Sequence, residues 1–194
     1  PAWPKDVDSA LADQGEAIFV STCSRCHGTY GADWTYDNVV VPIAEIGTDP
    51  TDAIGSYDGW TGISEYLSGS VWDTGTPWAP QRGYVAPPLD GIWATAPFLH
   101  NGSVPTLEGM LNSAARPDYW RRVTQVNDAE SYDWGNVGWR VDSVPDGRAG
   151  VEDSDQAKLI YDTTRAGYRN TGHTFGDHLS ASERGAVIEY LKTL

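Results

Sequence analysis

The sequence predicts a mainly α-helical domain in which two helices, one near each end of the chain, frame long irregular loops. Three observations carry this. Residues 8–22 set Leu11, Gly15, Ile18, Phe19 and Thr22 at helical spacing, with Asp6, Asp8 and Asp13 crowding the start, where the helix dipole favours acids. Ser180-Ala181-Ser182-Glu183 is a capping box opening a second run, with Val187, Tyr190, Leu191 and Leu194 on one face. From residue 30 to residue 88 the chain is rich in Gly, Pro, Asp and Trp without a sustained period, so it reads as ordered loops with one short helix near residues 63–67.

The first helical run leads straight into Cys23-Ser24-Arg25-Cys26-His27. Two cysteines three positions apart share one side of a helical turn, where both thiols reach the two vinyl groups of one porphyrin, and the His that follows lies beneath the ring to ligate iron. The motif therefore reads as the attachment site of one covalent c-type haem, with Cys23 and Cys26 as anchors and His27 as the proximal ligand. A zinc site would need further ligands, and the chain has only these two cysteines. A thioredoxin-type redox pair would follow a strand in a βαβ unit, and no such unit precedes residue 23.

At 194 residues the chain has the length of one domain, read here as residues 1–194. A minimal cytochrome needs about half of that, so the surplus is expected in loops. Both cysteines are spent on the motif, leaving no disulfide to staple those loops, and the haem serves as a core element in its place. Nine Trp, ten Tyr and three Phe are ample to wrap it, and most of the Trp are expected around the haem. The 13 basic and 27 acidic residues give a formal charge of −14, which disfavours nucleic acid and anionic membranes as partners. It suits either plain solubility or steering toward a redox partner with a basic surface. No apolar run approaches a membrane span. Haem attachment to this motif takes place outside the cytoplasm, so a periplasmic or secreted location is expected, any export signal having been removed. The opening Pro1-Ala2-Trp3-Pro4 reads equally as the tail of a linker, which sets residues 1–5 apart as a remnant of a larger modular protein.

Further along, Asp49, Asp52 and Asp58 suggest calcium, but the EF-hand spacing is missing and a solvated loop is the stronger reading. Pro105 is expected to open a short helix through residue 113, and Asn101-Gly102 to form a turn. Residues 116–167 are aromatic and turn-rich, with short strands expected at 138–144 and 158–163.

The stretch Ala86-Pro87-Pro88-Leu89 through Thr95-Ala96-Pro97-Phe98-Leu99-His100-Asn101-Gly102-Ser103-Val104-Pro105-Thr106-Leu107 resembles a signature in the C-terminal haem domain of the bacterial di-haem cytochrome c peroxidase superfamily, closest to the rubber oxygenases. The tail, Gly172-His173-Thr174-Phe175-Gly176 through Leu194, is similar to the end of the same domain. With the haem motif the resemblance covers under half of the chain, in the expected order. The helix before the motif resembles the N-terminal helix of class I cytochromes c, in which the Gly lets the C-terminal helix approach closely. The resemblance thus implies a class I cytochrome c-like helical core around one haem with long loop insertions, and a contact between Gly15 and Tyr190.

What faces the other side of the iron decides between carrying electrons and doing chemistry. The candidates are Met110, His100, His173 and His178. Met110 falls inside the short helix and reads as core. The resemblance puts His100 near the haem without ligating it, hydrogen bonded to a propionate or backbone. His178 reads as exposed. The resemblance implies a distal ligand at His173, where the family's electron-transfer haem takes Met in many peroxidases and His in the rubber-oxygenase branch, with flanking glycines that let the backbone approach the ring. The metal ligands are then His27 and His173. Family members that act on peroxide or rubber do so at a second haem with its own motif, and this chain has one motif. The reading is an electron-transfer protein and not an enzyme. Its alternatives are a peroxidase-like or oxygenase-like haem protein with an open sixth position, and a recognition module built on exposed aromatic residues.

Overall fold

The computed structural model describes residues 1–73, 75 and 81–194. Asp8 caps the first helix, α1 (Ser9–Thr22), its side chain accepting the Leu11 N–H, so the acidic start supplies a cap to the free amides of the first turn. Cys23 closes α1, and its carbonyl accepts from both Cys26 N and His27 N, each at 3.1 Å. That winds the turn α2 (Ser24–His27), which Gly28 ends at φ 77°. Strand β1 (Val40–Pro42), α3 (Ile43–Ile46) and α4 (Thr51–Leu67) follow, and β2 (Gly83–Val85) returns antiparallel to β1 with Tyr84 opposite Val41. Next come α5 (Leu107–Leu111), β3 (Tyr119–Arg122), β4 (Tyr132–Asp133), β5 (Gly138–Trp139), β6 (Val141–Ser143), α6 (Ser154–Lys158), β7 (Tyr161–Asp162) and α7 (Ala181–Leu191). β3 is the centre of a three-stranded sheet between β6 and β7, and β4 pairs with β5.

The core lies where α1 and α7 cross. α1 buries Ala12, Gly15 and Phe19 against the run Ala186 to Leu191 of α7. A Cβ on Gly15 would stand 1.9 Å from the Ala186 carbonyl oxygen and 2.9 Å from Tyr190 Cβ, so only glycine admits the α7 backbone at this distance. The capping box at Ser180 and Glu183 is formed. Glu189, buried at the crossing, accepts the Asp8 N–H at 2.8 Å and pairs with Lys192, which fixes the start of α1 against the end of α7.

Several expectations are corrected by packing. The 30–88 stretch, of which residues 74 and 76–80 lie outside the described residues, holds the 17-residue helix α4 in place of a short one at 63–67. α4 fully buries only Ala53, and three internal glycines lower its propensity, so no apolar stripe marked it. Pro105 does not open α5. Its carbonyl accepts the Trp139 N–H at 2.9 Å, and Thr106 caps the helix by accepting from Gly109 N. In the 1–5 segment, the Trp3 ring packs edge-on to Trp93 at 5.3 Å and to Trp134 at 5.4 Å. Asp49 is no solvated loop residue; it is fully buried and accepts N–H bonds from Thr51 (2.9 Å), Gly167 (2.8 Å) and Arg169 (3.3 Å). Asp52 and Asp58 lie on α4, and no group of three metal-binding side chains occurs among the described residues. No described helix is long and apolar enough to cross a membrane.

Candidate haem site

Beside the α1–α7 crossing lies a cavity of about 420 Å³ walled by α1, α2, β2, the 86–100 segment, α5, α7 and the His173 loop. Its volume is that of a pocket for a small organic cofactor, and its lining is predominantly apolar. Cys23, Cys26 and His27 enter from α2, His100 and Met110 from the middle of the chain, and His173 from the loop before α7. His178 is exposed and outside the cavity. No described Trp lines it, contrary to expectation. The rings form outer clusters instead, Trp3 with Trp93, Tyr132 and Trp134, and Trp120 stacked on Tyr161 at 4.9 Å.

His27 and His173 face each other with ring centres 6.2 Å apart and planes at 62°. Two imidazoles bound to opposite sides of one metal need about 2 Å for each metal–nitrogen bond and about 1.1 Å from each nitrogen to its ring centre, roughly 6 Å in all. The pair therefore fits a single metal between them. His27 Nδ1 lies 2.9 Å from the Pro87 carbonyl. A carbonyl only accepts, so Nδ1 carries the proton and Nε2 presents its lone pair. Burial lowers the pKa of His27, the Pro87 contact opposing it. His173 is pushed down to about 4, first by burial and then by the neighbouring His27. Both rings are thus neutral at neutral pH, the form a metal binds. His173 Nδ1 is buried and meets no partner in good hydrogen-bond geometry, and neither does Oγ1 of Thr48, a wall residue 3% exposed.

The cysteine pair sits in the same wall. Burial pushes the Cys23 thiol up to about 11, with Cys26 adding to the shift. A reactive redox pair needs lowered thiols, so this environment speaks against a thioredoxin-like role. Opposite, His100 stacks on Tyr84 with ring centres 3.9 Å apart. Tyr84 in turn donates to the Asp49 carbonyl at 2.9 Å and accepts the Ala53 N–H at 3.1 Å, tying the cavity wall to α4.

The His173 loop is held by backbone. His173 N–H donates to Ile46 O at 2.7 Å. Gly172, at φ 74°, lies against the Gly47 backbone, where a Cβ would come within 2.2 Å. Gly176 packs likewise against Leu111. The flanking glycines thus make close backbone contacts with the end of α3 and with α5. Thr48, Tyr84 and the buried Asp49 were not recognised from sequence as parts of the site. Tyr84 and Asp49 act through partners 31 to 120 positions away, and the one local signal was Asp49 ahead of Pro50-Thr51, an Asx-type turn opening a helix.

Residues 83–121, which contain the His100 signature and Met110, match the family model described as RoxA-like, cytochrome c-like. Two curated relatives from Sinorhizobium fredii, the uncharacterized proteins y4iJ and y4iM, are 30% and 34% identical to the chain over 261 and 197 residues. The similarity covers 100% and 89% of this chain but 41% and 43% of the relatives, so the chain spans about two fifths of the length of the curated relatives it matches. The family match supports a cytochrome c-like domain in this chain, and with it haem binding as its function.

Proposed function

We propose that the chain is a mono-haem c-type cytochrome domain that relays single electrons, with His27 and His173 as the two iron ligands and Cys23 and Cys26 as covalent anchors. The observation that carries this is the pair of neutral imidazoles facing each other at 6.2 Å across a cavity that also holds both cysteines. The crossing of α1 and α7 at Gly15, directly before the cysteine motif, supports a class I cytochrome c-like core.

Each residue has a defined task. Cys23 and Cys26 would hold the ring: each thiol would add across one vinyl group, its sulfur bonding one carbon and its hydrogen passing to the other. That step needs no outside oxidant, and a protonated thiol is its starting material. His27, held in one tautomer by Pro87, presents Nε2. His173 closes the opposite side. Bound here, a haem iron supplies reversible one-electron exchange between its ferric and ferrous states. With His27 and His173 both holding the iron, the site would offer no ready place for a third ligand such as peroxide, which favours relay over substrate chemistry. The phenylalanine, leucine and valine wall keeps water from the ring and limits reorganisation as charge changes. The charge of −14 suits a redox partner with a basic surface, and an extracytoplasmic location suits the covalent attachment.

Mass spectrometry under denaturing conditions tests the anchoring. The holoprotein should weigh the polypeptide plus one haem and keep it through acid and organic extraction. A haem that extracts freely would remove the covalent assignment, and Cys23→Ala with Cys26→Ala should reproduce that loss.

A further inference from the structure

Arg116 lies between α5 and the His173 loop, and one guanidinium reaches five backbone carbonyls. On the α5 side Nε donates to Gly109 O at 2.7 Å and Nη2 to Met110 O at 3.4 Å. On the loop side Nη1 donates to Asn170 O at 2.6 Å and Gly172 O at 2.7 Å, and Nη2 to His173 O at 3.1 Å. We propose that Arg116 is a positioning residue for the distal ligand, a fork that staples the 170–173 backbone to α5 and thereby sets how often His173 leaves the iron. The inference rests on the reading of His173 as that ligand.

The loop needs such a staple. His173 has a φ of 46°, a left-handed conformation that a side-chain-bearing residue holds only when its surroundings over-determine it. The amide side of His173 is fixed by Ile46 O, but the three carbonyls around it have Arg116 as their common donor. Arginine suits the task through its rigid planar array of donors; lysine offers a point charge that cannot span both segments in fixed geometry. α5 is itself anchored, Thr106 capping its start and Leu107 and Leu111 lying in the core, so the fork joins the 170–173 backbone to a fixed element. Without these bonds the 170–173 backbone would be free to shift and His173 would hold the metal less often. A ligand that binds only the detached state then binds in proportion to the detached fraction.

The test uses the holoprotein and carbon monoxide as the probe, with Arg116→Gln and Arg116→Lys beside wild type and His173→Ala. Expected is a low-spin wild type whose reduced form takes up carbon monoxide slowly. Arg116→Gln should raise the association rate roughly tenfold or more and show a high-spin fraction, with full haem content. Added imidazole should restore its low-spin spectrum, as it should for His173→Ala. Arg116→Lys, which keeps charge and bulk, should fall between wild type and Arg116→Gln, and carries the test if Arg116→Gln does not fold. A general loss of stability would lower the melting temperature without changing spin state well below it. Unchanged spectra and carbon monoxide rates in both folded variants, against a wild type whose His173→Ala opens the site, would overturn the clamp alone. A wild type in which His173→Ala changes nothing would overturn the ligand reading and the clamp together.

Discussion

Pro87 matters to the site through its carbonyl, which accepts from His27 Nδ1 and so points the lone pair of Nε2 into the cavity. A residue with no side-chain chemistry of its own thus decides which nitrogen of His27, the proposed proximal ligand, is available. Met110 shares the cavity wall but lies on α5, so Met110→Leu should leave the coordination as it is, whereas His173→Ala should turn the ferric spectrum high-spin. Asp49 shows the opposite case, an acid whose value is structural. Burial alone would raise its pKa, but hydrogen bonds from Thr51, Gly167 and Arg169 outweigh that and hold it below the ordinary carboxylate range. A carboxylate depressed on folding adds stability that is present above the unfolded value, about 3.9, and is lost as pH falls through its folded value. Asp49→Asn should therefore cost about 2 kcal/mol at pH 7. Chemical denaturation at decreasing pH should show the gap to wild type narrowing below pH about 4, while a gap that stays constant would mean the anion is not what the three amides bind.

At the scale of elements, the α1–α7 crossing and α4 are opposites. Gly15→Ala places a methyl group against the Ala186 carbonyl, and pushing the helices apart should cost about 1–3 kcal/mol, read as a lowered melting temperature. α4 buries only Ala53 fully and leaves Trp60, Ile63 and Tyr66 exposed, so its amides should exchange with solvent ahead of those in α1 and α7. The same contrast explains what was legible in sequence. α1, α7 and the cysteine turn announce themselves through signals within a few residues: the Asp8 cap, the Ser180–Glu183 box, the Cys23 to His27 spacing. Strands β5, β6 and β7 fall inside the two segments where strands are expected, though each is only two or three residues long. α4 has no amphipathic stripe to read. The tasks of Gly172, Gly176, Asp49 and Arg116 are set by backbone from distant segments, which no local pattern encodes. The packing of Trp3 is likewise hidden from sequence, because its partners Trp93 and Trp134 lie about 90 and 130 positions away.

At the scale of the whole molecule, 13 basic against 27 acidic residues make the domain a strong anion. If that charge steers a basic partner, electron exchange with a cationic redox protein should slow steeply with added salt, since the screening length falls to about 10 Å at 0.1 M. A flat salt profile would leave solubility as the sole use of the acidity. The folded chain brings together a cysteine turn at residue 23 and a loop at residue 173, with the α1–α7 crossing holding the two in register. The central claim is that this convergence puts an imidazole on each side of one iron. Its most direct test is the electron paramagnetic resonance spectrum of the ferric wild-type holoprotein, taken with and without His173→Ala. The account predicts a single low-spin signal of bis-imidazole type that is lost to a high-spin signal in the variant; a high-spin wild type, or a low-spin signal that survives His173→Ala and disappears in Met110→Leu, would contradict it.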